Sequence, residues 1–221
     1  QNSTEIPDDS GKNKTGELKN YDQASIVDET IYGKQVKALK LDGGSDGGYL
    51  QMPAGVFDSA ESATISCWVK VNAESGYQRI WDFGNNTTKY MYLLTDGQNE
   101  GERGYATAIT KSGWSYEEGI ELGQSLETGK WIFTTVVIDG NNKTISLYKD
   151  GKLIGSKSVQ TTLKDLGQTE NNYIGYGQFE NDPFNGEITD FSIYDYPMTE
   201  DEVQSLCEIP DADRVSADKE A

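Results

Sequence analysis

The stretch from Lys130 to Val203 restricts the fold more than any other part of the chain. It reads Trp131-Ile-Phe-Thr-Thr-Val-Val-Ile138, a turn at Asp139-Gly-Asn-Asn-Lys143, then Thr144-Ile-Ser-Leu-Tyr148. A second turn at Asp150-Gly151 leads to a run from Leu153 to Val159. Tyr173-Ile-Gly-Tyr176 and Phe184-Asn-Gly-Glu-Ile-Thr-Asp-Phe-Ser-Ile-Tyr194 follow. A helix would repeat its apolar positions about every 3.6 residues, whereas these runs alternate or are apolar throughout and stop at turn formers. The chain therefore reads as all-β, a two-sheet antiparallel β-sandwich.

Upstream text agrees. A turn-rich loop at 8–16 precedes a short strand at 17–21, and Val36 to Leu41 is separated from Tyr49–Met52 by a glycine-rich turn. In Ala63–Val71, residues Ile65, Cys67, Val69 and Val71 share one strand face. Trp68 occupies the other face, so both sides should be partly buried. Strands near 78–83, 90–95 and 105–110 continue the series. One short C-terminal helix is expected at Glu200–Leu206. There Thr199 and Glu202 form a capping box, and Met198 and Val203 stand at staple positions. Residues 1–7 read as linker or a clipped first strand, 8–207 as the sandwich, and 208–221 as linker to a following module, the whole being a piece of a longer chain.

Composition excludes several functions. Nineteen basic against 37 acidic residues give a net charge of −18, which repels nucleic acid and anionic membranes. No run approaches the ~20 apolar residues that span a bilayer, so no membrane insertion is expected. The absence of histidine removes His-based triads and histidine metal sites. Cys67 and Cys207 read as two buried free thiols, with a disulfide between them as the alternative.

Carboxylate catalysis of the glucanase kind needs two acids pointing the same way across a sugar-binding face. Glu187-Ile-Thr-Asp190 has the wrong spacing and would place its acids on opposite strand faces. No catalytic residue is therefore assigned.

Several motifs occur in a familiar order. These are the Asp8-Asp-Ser-Gly-Lys-Asn loop, the segment from Gly33 to Leu50, Ala63–Val71, the Trp131 strand, Tyr173-Ile-Gly and Phe184-x-Gly-x-Ile-x-Asp190-x-x-Ile-Tyr194. Together, from about residue 8 to 207, they resemble the laminin G-like, concanavalin A-like jelly roll. Two features depart from that pattern: the usual first aromatic strand is not evident, and Lys12 replaces the loop's usual Asn. The tail at 211–221 resembles segments joining modules in large secreted bacterial glycoside hydrolases.

The resemblance implies a calcium-stabilised accessory module of an extracellular or cell-surface bacterial carbohydrate-active enzyme. Such a module would bind oligo- or polysaccharide and adjoin neighbouring domains of the same polypeptide. Asp190 would hold calcium with help from Asp8 and Asp42, oxygen ligands that suit this ion. Hydrogen bonding of Asp190 within a turn is the alternative. Trp114 and Tyr116 sit in the polar, Gly-flanked stretch Lys111-Ser-Gly-Trp-Ser-Tyr-Glu-Glu-Gly119, and Tyr77, Tyr176 and Phe179 lie in or beside other loops. Exposed aromatics with polar neighbours suit a sugar ring, so these five are the candidate ligand residues. A spacer domain that binds no sugar is the second reading, and an autonomous glycosidase the third.

Overall fold

Alternating residues resolve into strands whose apolar faces meet. The structure, a computed structural model, describes residues 4–57, 59–96, 103–179 and 183–207. The expected linker at 208–221 lies outside the described residues. In chain order the strands are β1 (Glu5–Ile6), β2 (Gly16–Lys19), β3 (Ala24–Ile31), β4 (Lys34–Asp42), β5 (Tyr49–Met52), β6 (Ala63–Val71), β7 (Arg79–Gly84) and β8 (Tyr90–Leu94). Then come β9 (Ala106–Thr110), β10 (Glu118–Glu121), β11 (Trp131–Asp139), β12 (Thr144–Lys149), β13 (Lys152–Ser158), β14 (Asn171–Ile174) and β15 (Asn185–Tyr194). The first sheet runs β1-β2-β5-β14-β7-β8-β9-β10 and the second β13-β12-β11-β6-β15-β4-β3, with antiparallel pairing within each.

Between the sheets, Ile65, Cys67, Val69 and Val71 of β6 share a core with Trp81 and Phe83 of β7 and Met91 and Leu93 of β8. Full burial of such side chains contributes roughly 1.5–3 kcal/mol each. Trp68 is buried on the opposite face of β6 with Ile31 and Phe133, which confirms the expectation that both faces are covered. The cysteines are free, Cys67 buried and Cys207 half-buried. Burial pushes the Cys67 thiol up to about 12.

The C-terminal helix, α2 (Glu200–Leu206), has the expected boundaries and cap. The Thr199 amide donates to the Glu202 carboxylate (2.7 Å) and the Glu202 amide to the Thr199 hydroxyl (3.4 Å). Met198 and Val203 anchor it on Val137 and Tyr148, on the outer side of the seven-stranded sheet. A single earlier turn, α1 (Leu163–Leu166), is not foreseen by the sequence, and it buries Leu163 and Leu166. No helix among the described residues is long and apolar enough to cross a membrane.

The Asp150-Gly151 turn joins β12 to β13 with φ of 50° and 73°, the left-handed pair that matches the twist of a tight hairpin. At the other end of the chain, Ile6 pairs with Gly16 and Glu5 with Glu17, so a two-residue edge strand stands where linker or clipped strand was expected.

Candidate functional site

The strongest candidate lies where β9 passes into β10. Residues 111–117 make this connection, and a 3-10 turn at Trp114–Tyr116 turns both rings outward. Trp114 is 66% and Tyr116 69% exposed. The loop beneath them is tied down. The Gly113 amide donates to the Thr88 carbonyl (2.9 Å), the Thr110 hydroxyl to the Gly113 carbonyl (3.0 Å), and the Ser112 amide to the Thr110 hydroxyl (3.1 Å). At its far end, the Glu117 carboxylate accepts from the hydroxyls of Tyr90 and Tyr92 and from the Arg103 guanidinium. Tyr90 and Tyr92 come from the neighbouring strand β8, so the loop is fixed to the sheet face. Burial first, then the adjoining Glu117, raises the Tyr90 phenol above its ordinary range, and it donates as a neutral group.

Beside the loop opens a cleft of about 340 Å³, lined by Lys111, Ser112, Tyr116, Glu118, Gln160 and Thr161 among others. Glu118 accepts from the Gln160 and Thr161 amides (2.8 and 2.7 Å). Burial opposes its ionisation, but these bonds outweigh it and hold the carboxyl below the ordinary carboxylate range. Lys111 pairs with Asp165 across the rim (2.9 Å). Tyr116 forms part of the wall, and Trp114 stands two residues away on the same turn. The cleft thus presents the Tyr116 ring, the hydroxyls of Thr110, Ser112 and Thr161, the Gln160 carboxamide and the charged Lys111, Glu117 and Glu118 together, a set that can hydrogen-bond a polar ring compound.

The other candidate aromatics fall elsewhere. Tyr77 and Phe179 pack against the buried cluster of Tyr90, Tyr92, Leu94, Ala106 and Ala108 on the outer face of the eight-stranded sheet. Phe179 meets Tyr90 edge-on, with centroids 5.4 Å apart. Tyr176 stacks on Tyr49 (4.6 Å, 18°) and meets Tyr173 edge-on (5.4 Å). The five residues therefore occupy three places; of them Tyr116 lines the cleft, and Trp114 shares its turn.

The three expected calcium ligands do not come together. Asp8 accepts from the amides of Ser10 (2.9 Å) and Lys14 (2.7 Å) within its own loop. Asp42 pairs with Lys40 (2.9 Å) and lies opposite Asn185. Asp190 sits five residues further along β15, in a bulge between Thr189 and Ser192, with φ of 51°. At about 3.3 Å per strand residue, Asp42 and Asp190 are roughly 16 Å apart, too far to share an ion. Among the described residues no group of three or more Asp, Glu or Cys side chains is arranged to hold a metal. Asp42 thus lies too far along the strand to share an ion with Asp190.

Sequence patterning did not reveal a buried ion pair in the middle of the eight-stranded sheet. Arg79 and Asp82 of β7 are 4% and 0% exposed, with Nε 3.4 Å from Oδ2. The Arg79 guanidinium lies 3.8 Å from the centre of the Tyr92 ring. Burial, partly offset by Arg79, pushes the Asp82 carboxyl up to about 6.

The comparisons with known proteins agree with this architecture. Domain 4 of AbnA, an extracellular GH43 arabinanase from Geobacillus stearothermophilus solved with arabinotriose, is similar at TM-score 0.71 and 19% identity, covering 87% of this chain and 88% of that one. The CBM40 of the Ruminococcus gnavus IT-sialidase, solved with α2,3-sialyllactose, is similar at TM-score 0.61 and 16% identity, covering 77% and 96%. The receptor-binding domain of botulinum neurotoxin mosaic serotype C/D gives TM-score 0.63 and 17% identity, covering 90% of this chain but 46% of that one. At such identities the likeness shows the fold. No protein of curated function matches the sequence. The family pattern of the concanavalin A-like lectin/glucanases matches residues 42–204, most of both sheets and the start of α2, and the chain belongs to that superfamily.

Proposed function

We propose that this domain is a non-catalytic glycan-binding module, an accessory unit of a secreted bacterial carbohydrate-active enzyme. The observation that carries the reading is the exposed Trp114/Tyr116 pair on a tied-down loop beside the cleft. A sugar stacks its C–H face on such a ring while hydroxyl and amide groups take its polar edge. Similar folds bound to arabinotriose and to sialyllactose support the class of ligand. The best-placed acids are already engaged. Glu117 holds Tyr90, Tyr92 and Arg103, Glu118 accepts from two amides, and Glu187 pairs with Lys70 (2.7 Å) and Asn72 (2.9 Å). None is poised as the acid of a hydrolytic pair.

Few contacts imply weak binding, roughly micromolar to millimolar, or about −8 to −4 kcal/mol. Calorimetric titration against arabinan, xylan and galactan fragments tests this. Trp114→Ala should abolish most binding at the cleft, read from the amides of residues 110–118, in a protein that remains folded.

The second reading, a spacer that positions a catalytic neighbour, draws on one observation. Tyr32 is 70% exposed and packs edge-on over Trp68 (5.7 Å), near the half-buried Trp131 and Leu206 beside α2. An interdomain contact would cover this patch. Calcium is a separate proposal that rests on Asp190 with other oxygen ligands. Identical melting in calcium and in chelator, on metal-stripped protein, refutes it.

A further inference from the structure

Beyond the cleft, the outer face of the eight-stranded sheet carries a second feature of a ligand site. In β5 the residues Leu50 and Met52 point to the core, so Tyr49 and Gln51 point away from it. In β14 Ile174 faces the core and Tyr173 faces out. Register sets Tyr173 opposite Gln51, Gln51 opposite Glu17, and Tyr49 opposite Lys19. Three adjacent strands thus present one surface about 10 Å across. Tyr176, just past β14, closes it by stacking on Tyr49, while Tyr173 meets Tyr49 edge-on at 5.6 Å.

The position of Tyr176 is fixed from below. The Gln178 amide donates to Asp82 (3.2 Å), and a Cβ at Gly177 would come within 2.9 Å of the Arg79 side chain and 3.0 Å of the Asp82 carboxylate. The backbone therefore lies directly on the buried ion pair, and only glycine allows that approach. The tyrosine cluster is preorganised before any ligand arrives.

Two observations mark this surface as a receptor rather than packing. First, the three phenol hydroxyls and the Gln51 carboxamide have no hydrogen-bond partner among the described residues, and none is sealed from solvent. A buried tyrosine ordinarily finds a partner for its hydroxyl. Here the half-buried rings supply apolar area, and their polar tips remain available. Second, the cations of this face are already paired: Lys19 with Glu17 (2.6 Å), Arg79 with Asp82, and Arg103 with Glu117 and Glu121. An anionic ligand would meet paired cations and the carboxylates beside them, whereas a neutral polyol ring meets hydroxyls, a carboxamide and aromatic faces.

We propose that Tyr49, Gln51, Tyr173 and Tyr176 form a second saccharide site, selective for neutral over acidic oligosaccharides. The proposal extends the glycan-binding reading to residues that the cleft does not use. The test is backbone-amide NMR titration of the whole chain with arabinotriose, xylotriose and galactotriose, and separately with α2,3-sialyllactose. It is run on the wild type and on Trp114→Ala, Tyr176→Ala, Tyr49→Phe and Tyr173→Phe, the last two keeping the rings in place. A neutral trisaccharide should shift residues 49–51 and 173–176 even in Trp114→Ala. Tyr176→Ala should weaken this at least tenfold, each Phe variant about three- to tenfold, and sialyllactose should leave these amides unmoved at equal concentration. Shifts confined to residues 110–118 and lost in Trp114→Ala would overturn this site while sparing the cleft. Equal response to sialyllactose would overturn the selectivity. No response to any sugar at millimolar concentration would overturn both sites.

Discussion

Removing either half of the Arg79–Asp82 pair should destabilise the domain, and the two losses should differ. Asp82 is fully buried and Arg79 nearly so, yet Asp82 Oδ1 and Arg79 Nε and Nη1 have no hydrogen-bond partner. The 3.4 Å contact is an ion pair without a well-directed hydrogen bond. The Asp82 carboxyl, pushed up to about 6 by burial despite Arg79, shows that desolvation outweighs the attraction. Breaking a buried pair by removing one partner costs about 3–5 kcal/mol, because an uncompensated charge stays behind. Asp82→Leu strands a guanidinium that cannot lose its proton, so the full cost applies. Arg79→Met strands a carboxyl that can take one up, and its cost should be smaller and shrink further at pH 5. The double variant should fall within about 1.5 kcal/mol of wild type, since apolar replacement of a buried pair is often neutral. Between the ordinary 3.8 and about 6, folded protein holds a proton that unfolded protein releases, so this group's contribution to stability falls as pH rises through that window. The double variant should therefore gain on wild type from pH 4 to 6.5. Urea unfolding at several pH values, with unchanged m-values, measures all four states. A loss below 1 kcal/mol for Asp82→Leu, or a double variant as unstable as that single one, would refute the reasoning.

Further expectations are smaller in scope. Thr199→Ala should cost about 1 kcal/mol by removing the α2 cap, read by thermal unfolding, and a value near zero would contradict the reciprocal bonding with Glu202. Gly151→Ala should cost more than about 1 kcal/mol, because φ is 73° and the new Cβ lies 3.1 Å from Cys207 Cβ. With Asp42 and Asp190 far apart, Asp42→Ala and Asp190→Ala should have additive effects on melting in calcium. Non-additivity that disappears in chelator would place both at one ion.

Much of the fold was legible because period and turn chemistry agree. β5, β6 and α2 have the boundaries that alternation and capping predict. β3 escaped because it is an edge strand whose outward residues are polar and whose Ile26 is 52% exposed, so its text lacks a clean apolar face. β10 has one apolar residue, Ile120, to announce it. The loop of Trp114 and Tyr116 was legible because Gly and Ser around it provide nothing to bury the rings. Tyr77 and Phe179 were not, since the cluster they cover belongs to β8 and β9, outside the loops that carry these two rings and, for Phe179, far from it in sequence. Arg79 and Asp82 stand three apart, which puts them on opposite faces of a regular strand. A bulge between Arg79 and Trp81 brings them to the same face, and no local pattern announces it. Tyr49 and Tyr173 carried a readable signal, alternation with Leu50 and Ile174, that marks an outward ring on a sheet.

The most direct test of the glycan-binding account is a calorimetric and NMR titration of wild-type protein with neutral pentose and hexose oligosaccharides, with Trp114→Ala alongside. Saturable binding between micromolar and millimolar is expected, with amide shifts at residues 110–118 and near-complete loss of those shifts in a folded Trp114→Ala protein. Absence of binding to every neutral fragment at millimolar concentration, by a protein whose spectrum shows both sheets intact, would contradict the account and leave the spacer reading.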